Sequence, residues 1–173
     1  GYRSFLVLQL FSVLFFAGMV PVAGWLADRF GRRSVLLVVT GAIVLFGLSF
    51  RLFLDPAIMG TGEGANLGLM LLFLCTGMAL MGLTFGPMSA VLPELFPTNV
   101  RYTGSGISYN VASILGAALT PFVAVWLARE YGVGSVGIYL SVLGMLTFIA
   151  LWISKETKHT SLDSTLGIET TSP

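Results

Sequence analysis

The sequence has little charge. Only 10% of its 173 residues are Asp, Glu, Lys or Arg, against about 25% in a soluble domain, which excludes an ordinary water-soluble globule. Nine basic residues face eight acidic ones, a formal charge of +1, so no basic patch exists to hold a nucleic-acid backbone. The single cysteine, Cys75, excludes an intrachain disulfide and a structural zinc site, which needs several ligands. The single histidine, His159, stands alone near the C-terminus. There is no His-Glu-x-x-His pattern, no pair of carboxylates within an apolar run and no phosphate-cradling glycine loop, so neither an enzyme, a cofactor nor a metal is expected. What is abundant is apolar: 55% of the residues are hydrophobic, 13 of them Phe and 7 Met, and the mean hydropathy is +0.91. Such a composition belongs to an integral membrane protein.

Charged residues divide the chain into five uncharged runs, and these predict an all-α integral membrane protein with spans at about 4–27, 34–54, 67–92, 103–128 and 135–154. Each approaches or exceeds the roughly 20 residues needed to cross the hydrocarbon core. Helices are required because a backbone in lipid must satisfy its own hydrogen bonds, and the short alternating segments of a barrel are absent. Arg29, Arg32, Arg33, Arg101, Lys155 and Lys158 fall on one side of these spans, and Arg3, Arg51 and Arg129 on the other. The positive-inside rule makes the first side cytoplasmic, with the N-terminus outside and the C-terminus inside. Tyr2, Trp25, Tyr102, Trp126, Tyr131 and Trp152 lie near span ends, where amphipathic rings prefer the headgroup level. Residues 155–173 are rich in Ser and Thr and read as a flexible cytoplasmic tail. An odd number of spans, an outside N-terminus and a first residue that is Gly rather than Met lead us to expect the C-terminal part of a longer protein.

Within the spans, Gly104, Ser108, Ala112, Gly116 and Thr120 recur every four residues, and Gly82, Gly86 and Ala90 do the same. Both stripes predict close helix packing. Pro21, Pro87 and Pro121 each remove a helical donor. With Gly77, Gly82 and Gly86 around Pro87, the third span reads as bendable and is expected to bend during transport. No ionisable side chain lies deep in any span, which places any proton-carrying group outside this chain. Gln9 and Asn110 are the polar residues most costly to bury unpaired; each reads as an interhelical hydrogen-bond partner or a substrate contact. Met78, Met81, Phe85 and Met88 share a face of the third span, as packing or as an adaptable cavity wall.

The first inside loop reads Gly24-Trp-Leu-Ala-Asp28-Arg29-Phe-Gly31-Arg32-Arg33. Asp28 is suited to accept hydrogen bonds from the start of a neighbouring helix, the arginines fix the loop inside, and Gly31 permits a tight turn. This loop resembles the Gly-x-x-x-Asp-Arg-x-Gly-Arg-Arg signature of the major facilitator superfamily. The second, Pro93-Glu94-Leu-Phe96-Pro97-Thr98-Asn-Val-Arg101-Tyr102-Thr103-Gly104, is similar to the loop between helices 10 and 11 of the metabolite:proton symporters. Lys155-Glu156-Thr157-Lys158 resembles a sugar-porter signature that it matches incompletely, lacking the Pro before it and having His159 for Gly. The resemblance implies that the spans are helices 8 to 12, most of the C-terminal six-helix half of that fold, with an N-terminal half as partner and the bilayer as solvent. It further implies a substrate cavity lined by Phe85 and Met88, with Gln9 and Asn110 second, and a cytoplasmic gate of Gly24, Asp28, Arg29, Gly31, Arg32 and Arg33, with Glu94 and Arg101 as a charge pair. The implied function is proton-coupled uptake of a small polar metabolite, such as an organic acid or zwitterion. A sugar porter, a drug exporter and a non-transporting membrane protein are the alternatives.

Overall fold

A computed structural model describes residues 2–60 and 66–154; the expected tail lies outside them. The described residues form α1 (Tyr2–Phe30), α2 (Arg32–Phe53), the short α3 (Pro56–Met59), α4 (Leu67–Glu94), α5 (Arg101–Ser113), a π-helical turn (Ile114–Ala118), α6 (Leu119–Tyr131) and α7 (Val133–Ile153). With α5, the π turn and α6 taken as one rod, five helices are long and apolar enough to cross a membrane. They extend a few residues past the uncharged runs because backbone hydrogen bonding continues where side chains turn polar.

The bundle is built on two close seams, α1 along α4 and α2 along α7, joined where α2 meets α4. Small residues make both. A Cβ on Gly82 would lie 2.6 Å from the Phe16 carbonyl oxygen, and one on Gly86 2.7 Å from that of Val20. On the other seam a Cβ on Gly47 would lie 2.7 Å from the Gly137 oxygen. Ser141 there donates to the carbonyls of Val44 at 2.9 Å and Gly137 at 3.0 Å. Lipid offers no hydrophobic drive between helices, so close backbone approach and such hydrogen bonds hold them together. Other buried hydroxyls are satisfied locally, Ser12 by the Leu8 carbonyl and Thr40 by that of Leu36. At one end of the α2–α4 contact, Phe46, Phe50 and Phe53 gather around Phe73, with ring centroids 4.9–5.9 Å from it.

The two small stripes differ. The stripe Gly82–Gly86 packs closely; on α5 a Cβ on Gly104 would run into the Phe96 ring, but no residue of α5, the π turn or α6 is buried, and a Cβ on Gly116 would meet nothing within 4 Å. The seams instead use Gly137, Ser141 and Gly144 of α7, whose spacing of four and three is the signal that would have found them. Pro87 is fully buried within a continuous α4. The irregular winding lies at Ile114–Ala118, just before Pro121, whose ring would otherwise press on the Ala117 carbonyl.

Candidate functional site

One end of the bundle gathers the residues of the two charged loops. Gly31 turns the chain from α1 into α2 with φ 95° and ψ 137°, a conformation closed to side-chain-bearing residues, so the tight turn is present. Arg32, on the first turn of α2, contacts Glu94 at the end of α4 and lies 3.9 Å from Asp28 of α1. The other Glu94 oxygen, Oε2, is buried without a hydrogen-bond partner, so Arg32 is the group that offsets its loss of water. Arg33 donates through Nε to the Leu151 carbonyl at 2.9 Å and through Nη2 to that of Trp152, satisfying the open C-terminus of α7. The Arg29 guanidinium lies 5.5 Å from the Trp25 ring centroid and 5.6 Å from that of Phe30. The loop pattern therefore ties α1, α2, α4 and α7 together within this one chain.

The pairing differs from the expected one in two places. Glu94 meets Arg32, not Arg101. Arg101 folds back on α4 and donates through Nε to the carbonyls of Pro93 at 3.0 Å and Phe96 at 3.3 Å. Its position immediately after the loop puts it beside carbonyls that the end of α4 leaves open, and a cation is favoured there. The Asp28 side chain is 75% exposed and faces Arg32 one turn along. Gly24 lies on α1, and a Cβ there would meet nothing within 4 Å. The arginine contacts with the ends of α4 and α7 were not foreseen; the signal was an arginine beside each loop turn.

The second feature is a cavity of about 1280 Å³ between α4 and α5, backed by Ile43 and Phe46 of α2 and Leu140 of α7. One wall is apolar and soft, with Met81, Phe85 and Met88 at i, i+4 and i+7 on α4. The opposite wall, on α5, presents Ser105, Ser108, Tyr109, Asn110 and Ser113. No lining side chain among the described residues carries a charge. Several polar groups have spent their donors on their own helices: Asn110 Nδ2 donates to the Gly106 carbonyl at 2.8 Å and Thr84 to that of Leu80 at 2.9 Å. The first of these bonds uses the Asn110 amide nitrogen and leaves its amide oxygen able to accept. Phe85 is steadied by an edge-on contact with Phe16, 6.0 Å between centroids.

Of the expected lining residues, Phe85, Met88 and Asn110 meet around this space. Gln9 does not. It is exposed on α1, which contributes no residue to the cavity. Met81 lines it, whereas Met78 is not among its lining residues. Among the described residues no group of three or more His, Cys, Asp or Glu is placed to hold a metal.

A polytopic helical bundle with an uncharged cavity and a charged clasp at one end has the architecture of a membrane carrier. The family model described as "Sugar (and other) transporter" matches residues 2–165, and the chain belongs to this family, whose members are transporters of the major facilitator superfamily, not enzymes. It is 54% identical over 151 residues to the inner membrane metabolite transport protein YhjE of Escherichia coli K12, covering 87% of this chain and 33% of that one. It is 34% identical over 146 residues to the proline/betaine transporter of Salmonella typhimurium (82% and 27%). The shikimate transporter of E. coli K12 is 28% identical over 142 residues (81% and 31%). The chain thus spans about a third of the length of the curated relatives it matches. No solved structure matches it.

Proposed function

We propose that the chain supplies five helices, equivalent to helices 8 to 12, of a longer secondary transporter that takes up a small polar metabolite together with a proton. The observation that carries this is the two-faced cavity: a soft apolar wall on α4 opposite a hydroxyl- and amide-bearing wall on α5. An apolar cavity with a few placed polar groups suits a small amphipathic solute. The names of the relatives, which speak of metabolites, proline, betaine and shikimate, support a small polar substrate over a lipophilic drug. Because this cavity carries no charge, the substrate's ionic group and the transported proton are handled by residues of the remaining protein. The charged clasp, turned to the cytoplasm by the positive-inside rule, would then act as the gate on that side, with α1, α2, α4 and α7 moving as one body.

The test is uptake by inverted or right-side-out vesicles that contain the longer protein bearing this chain. A radiolabelled organic acid, a zwitterion and a sugar are offered in turn, and internal pH is followed by a dye. Uptake of an acid or zwitterion with coupled proton movement, reduced at least tenfold by Asn110→Ala or Phe85→Ala at unchanged membrane insertion, is expected. Asp28→Asn should lower uptake without affecting insertion. Sugar uptake would transfer the reading to the sugar porters, and no movement of any solute would overturn it.

A further inference from the structure

The lining of the cavity changes along its length. Counted from the charged clasp at the rise of an α-helix, every described hydroxyl and amide that lines it lies within about 18 Å: on α4 they fall between Thr84 and Ser89, on α5 between Tyr102 and Ser113. Farther in, no lining side chain is polar. Leu80 and Met81 of α4, Leu140 of α7 and Ala117 of the π turn lead to Phe46 of α2 and Gly77 of α4. By the same measure these last two lie about 21 and about 25 Å from the clasp. The gradient follows position along each helix, whichever face is presented.

At that far end Phe46 is held in place. Its ring stacks on Phe73 of α4, with 5.0 Å between centroids and 27° between planes, and meets Phe50 edge-on at 5.4 Å. Phe73 in turn contacts Phe50 and Phe53. None of these three other rings lines the cavity, so Phe46 is where the phenyl cluster meets it. Gly77 fixes the fit from the side: a Cβ there would lie 3.3 Å from Phe46 Cζ and 3.4 Å from Cε1, closer than two carbons rest. A ring packed among aromatic neighbours forms a wall of fixed position, whereas Met81 beside it forms a soft one.

We propose that Phe46 is the end-stop of the solute site and that Gly77 sets its depth. A bound solute lies lengthwise, its polar head among the hydroxyls and amides nearer the clasp and its apolar end against the Phe46 ring. The class of ligand is a small solute with a polar head and an unbranched hydrocarbon end, and the distance to Phe46 limits how long that end can be. This rests on the reading of the cavity as a substrate site, to which it adds an orientation and a length limit. Each added CH2 is favoured while it finds apolar surface to cover; once the chain reaches a packed ring, a further carbon forces overpacking.

The test uses the longer protein bearing this chain in lipid nanodiscs, with Thr84→Cys, on the cavity wall, as the reporter thiol in a Cys75→Ser background. Straight-chain 2-amino acids and 2-hydroxy acids with tails of growing length are offered, and each is scored by how far it slows labelling of that thiol by N-ethylmaleimide. With Phe46 and Gly77 in place, protection should rise with tail length and then fall sharply. Phe46→Ala should move this cut-off to tails about two carbons longer, because a removed phenyl ring leaves space behind it. Gly77→Ala, which keeps the ring but presses on it, should move the cut-off about one carbon shorter. Phe53→Ala is the control: it removes a ring of the same cluster that does not line the cavity, and should lower stability with the cut-off unmoved. A cut-off that neither Phe46→Ala nor Gly77→Ala moves, or that Phe53→Ala moves equally, overturns the end-stop and leaves the transporter reading standing. No protection by either series overturns the end-stop and the acid-or-zwitterion reading together. Because Gly77→Ala keeps every ring of the cluster, it decides the matter even if Phe46→Ala fails to insert.

Discussion

The seams and the rod are made of the same kinds of residue and behave oppositely. Along α1–α4 and α2–α7, glycines stand where a Cβ would collide with a facing carbonyl. Along α5, the π turn and α6, glycines and alanines recur just as regularly, yet none is buried: Gly104 at the start of α5 stands against the Phe96 ring, but Gly116 farther along faces open space. A small side chain permits contact but does not cause it. What separates the two regions is the partner: Gly82 meets the backbone of Phe16, whereas the α5 stripe looks across a cavity at Met81, Phe85 and Met88.

The comparison can be broken most sharply at a seam. Gly137→Leu would drive a side chain into the Gly47 backbone and the Phe50 ring; overpacking of this kind costs about 3 kcal/mol, read as lost resistance to unfolding in steric trapping or denaturant titration in micelles. Gly31→Ala should cost about 2 kcal/mol, since φ 95° with ψ 137° is strained for any Cβ, and the same titration measures it. Glu94→Gln should cost about 1 kcal/mol, because Arg32 keeps a hydrogen-bond acceptor but loses its countercharge at a site where both side chains remain about a quarter exposed. Raised salt should narrow the difference between the native and Glu94→Gln chains. Gly116→Leu is the counterpart on the rod: with nothing within 4 Å of a Cβ, stability should change by less than about 0.5 kcal/mol, although the new side chain enters the cavity. If Gly116→Leu proved as damaging as Gly137→Leu, the contrast between the regions would fail.

Much of the architecture was legible from the residues. Runs without charge must cross lipid as helices, so the number of crossing helices followed from composition, and Gly31 between Asp28 and Arg32 announced the turn. The site was legible only in part. Phe85, Met88 and Asn110 were found because helical spacing and the cost of burying an amide mark residues of interest. Gln9 carries the same amide cost but sits on a helix that the cavity does not touch. Arg101 and Glu94, seven residues apart, invited pairing with each other. The fold instead gave Glu94 to Arg32 and Arg101 to the carbonyls of Pro93 and Phe96.

By itself, then, the sequence determined what each segment must do in lipid, because hydropathy, helix length and glycine at a positive φ are local properties that need no partner. Only the tertiary structure decided which arginine neutralises which carboxylate, which small stripe closes into a seam and which stays open. Those choices depend on distances between helices far apart in the chain, and the residues of one helix do not encode the position of another.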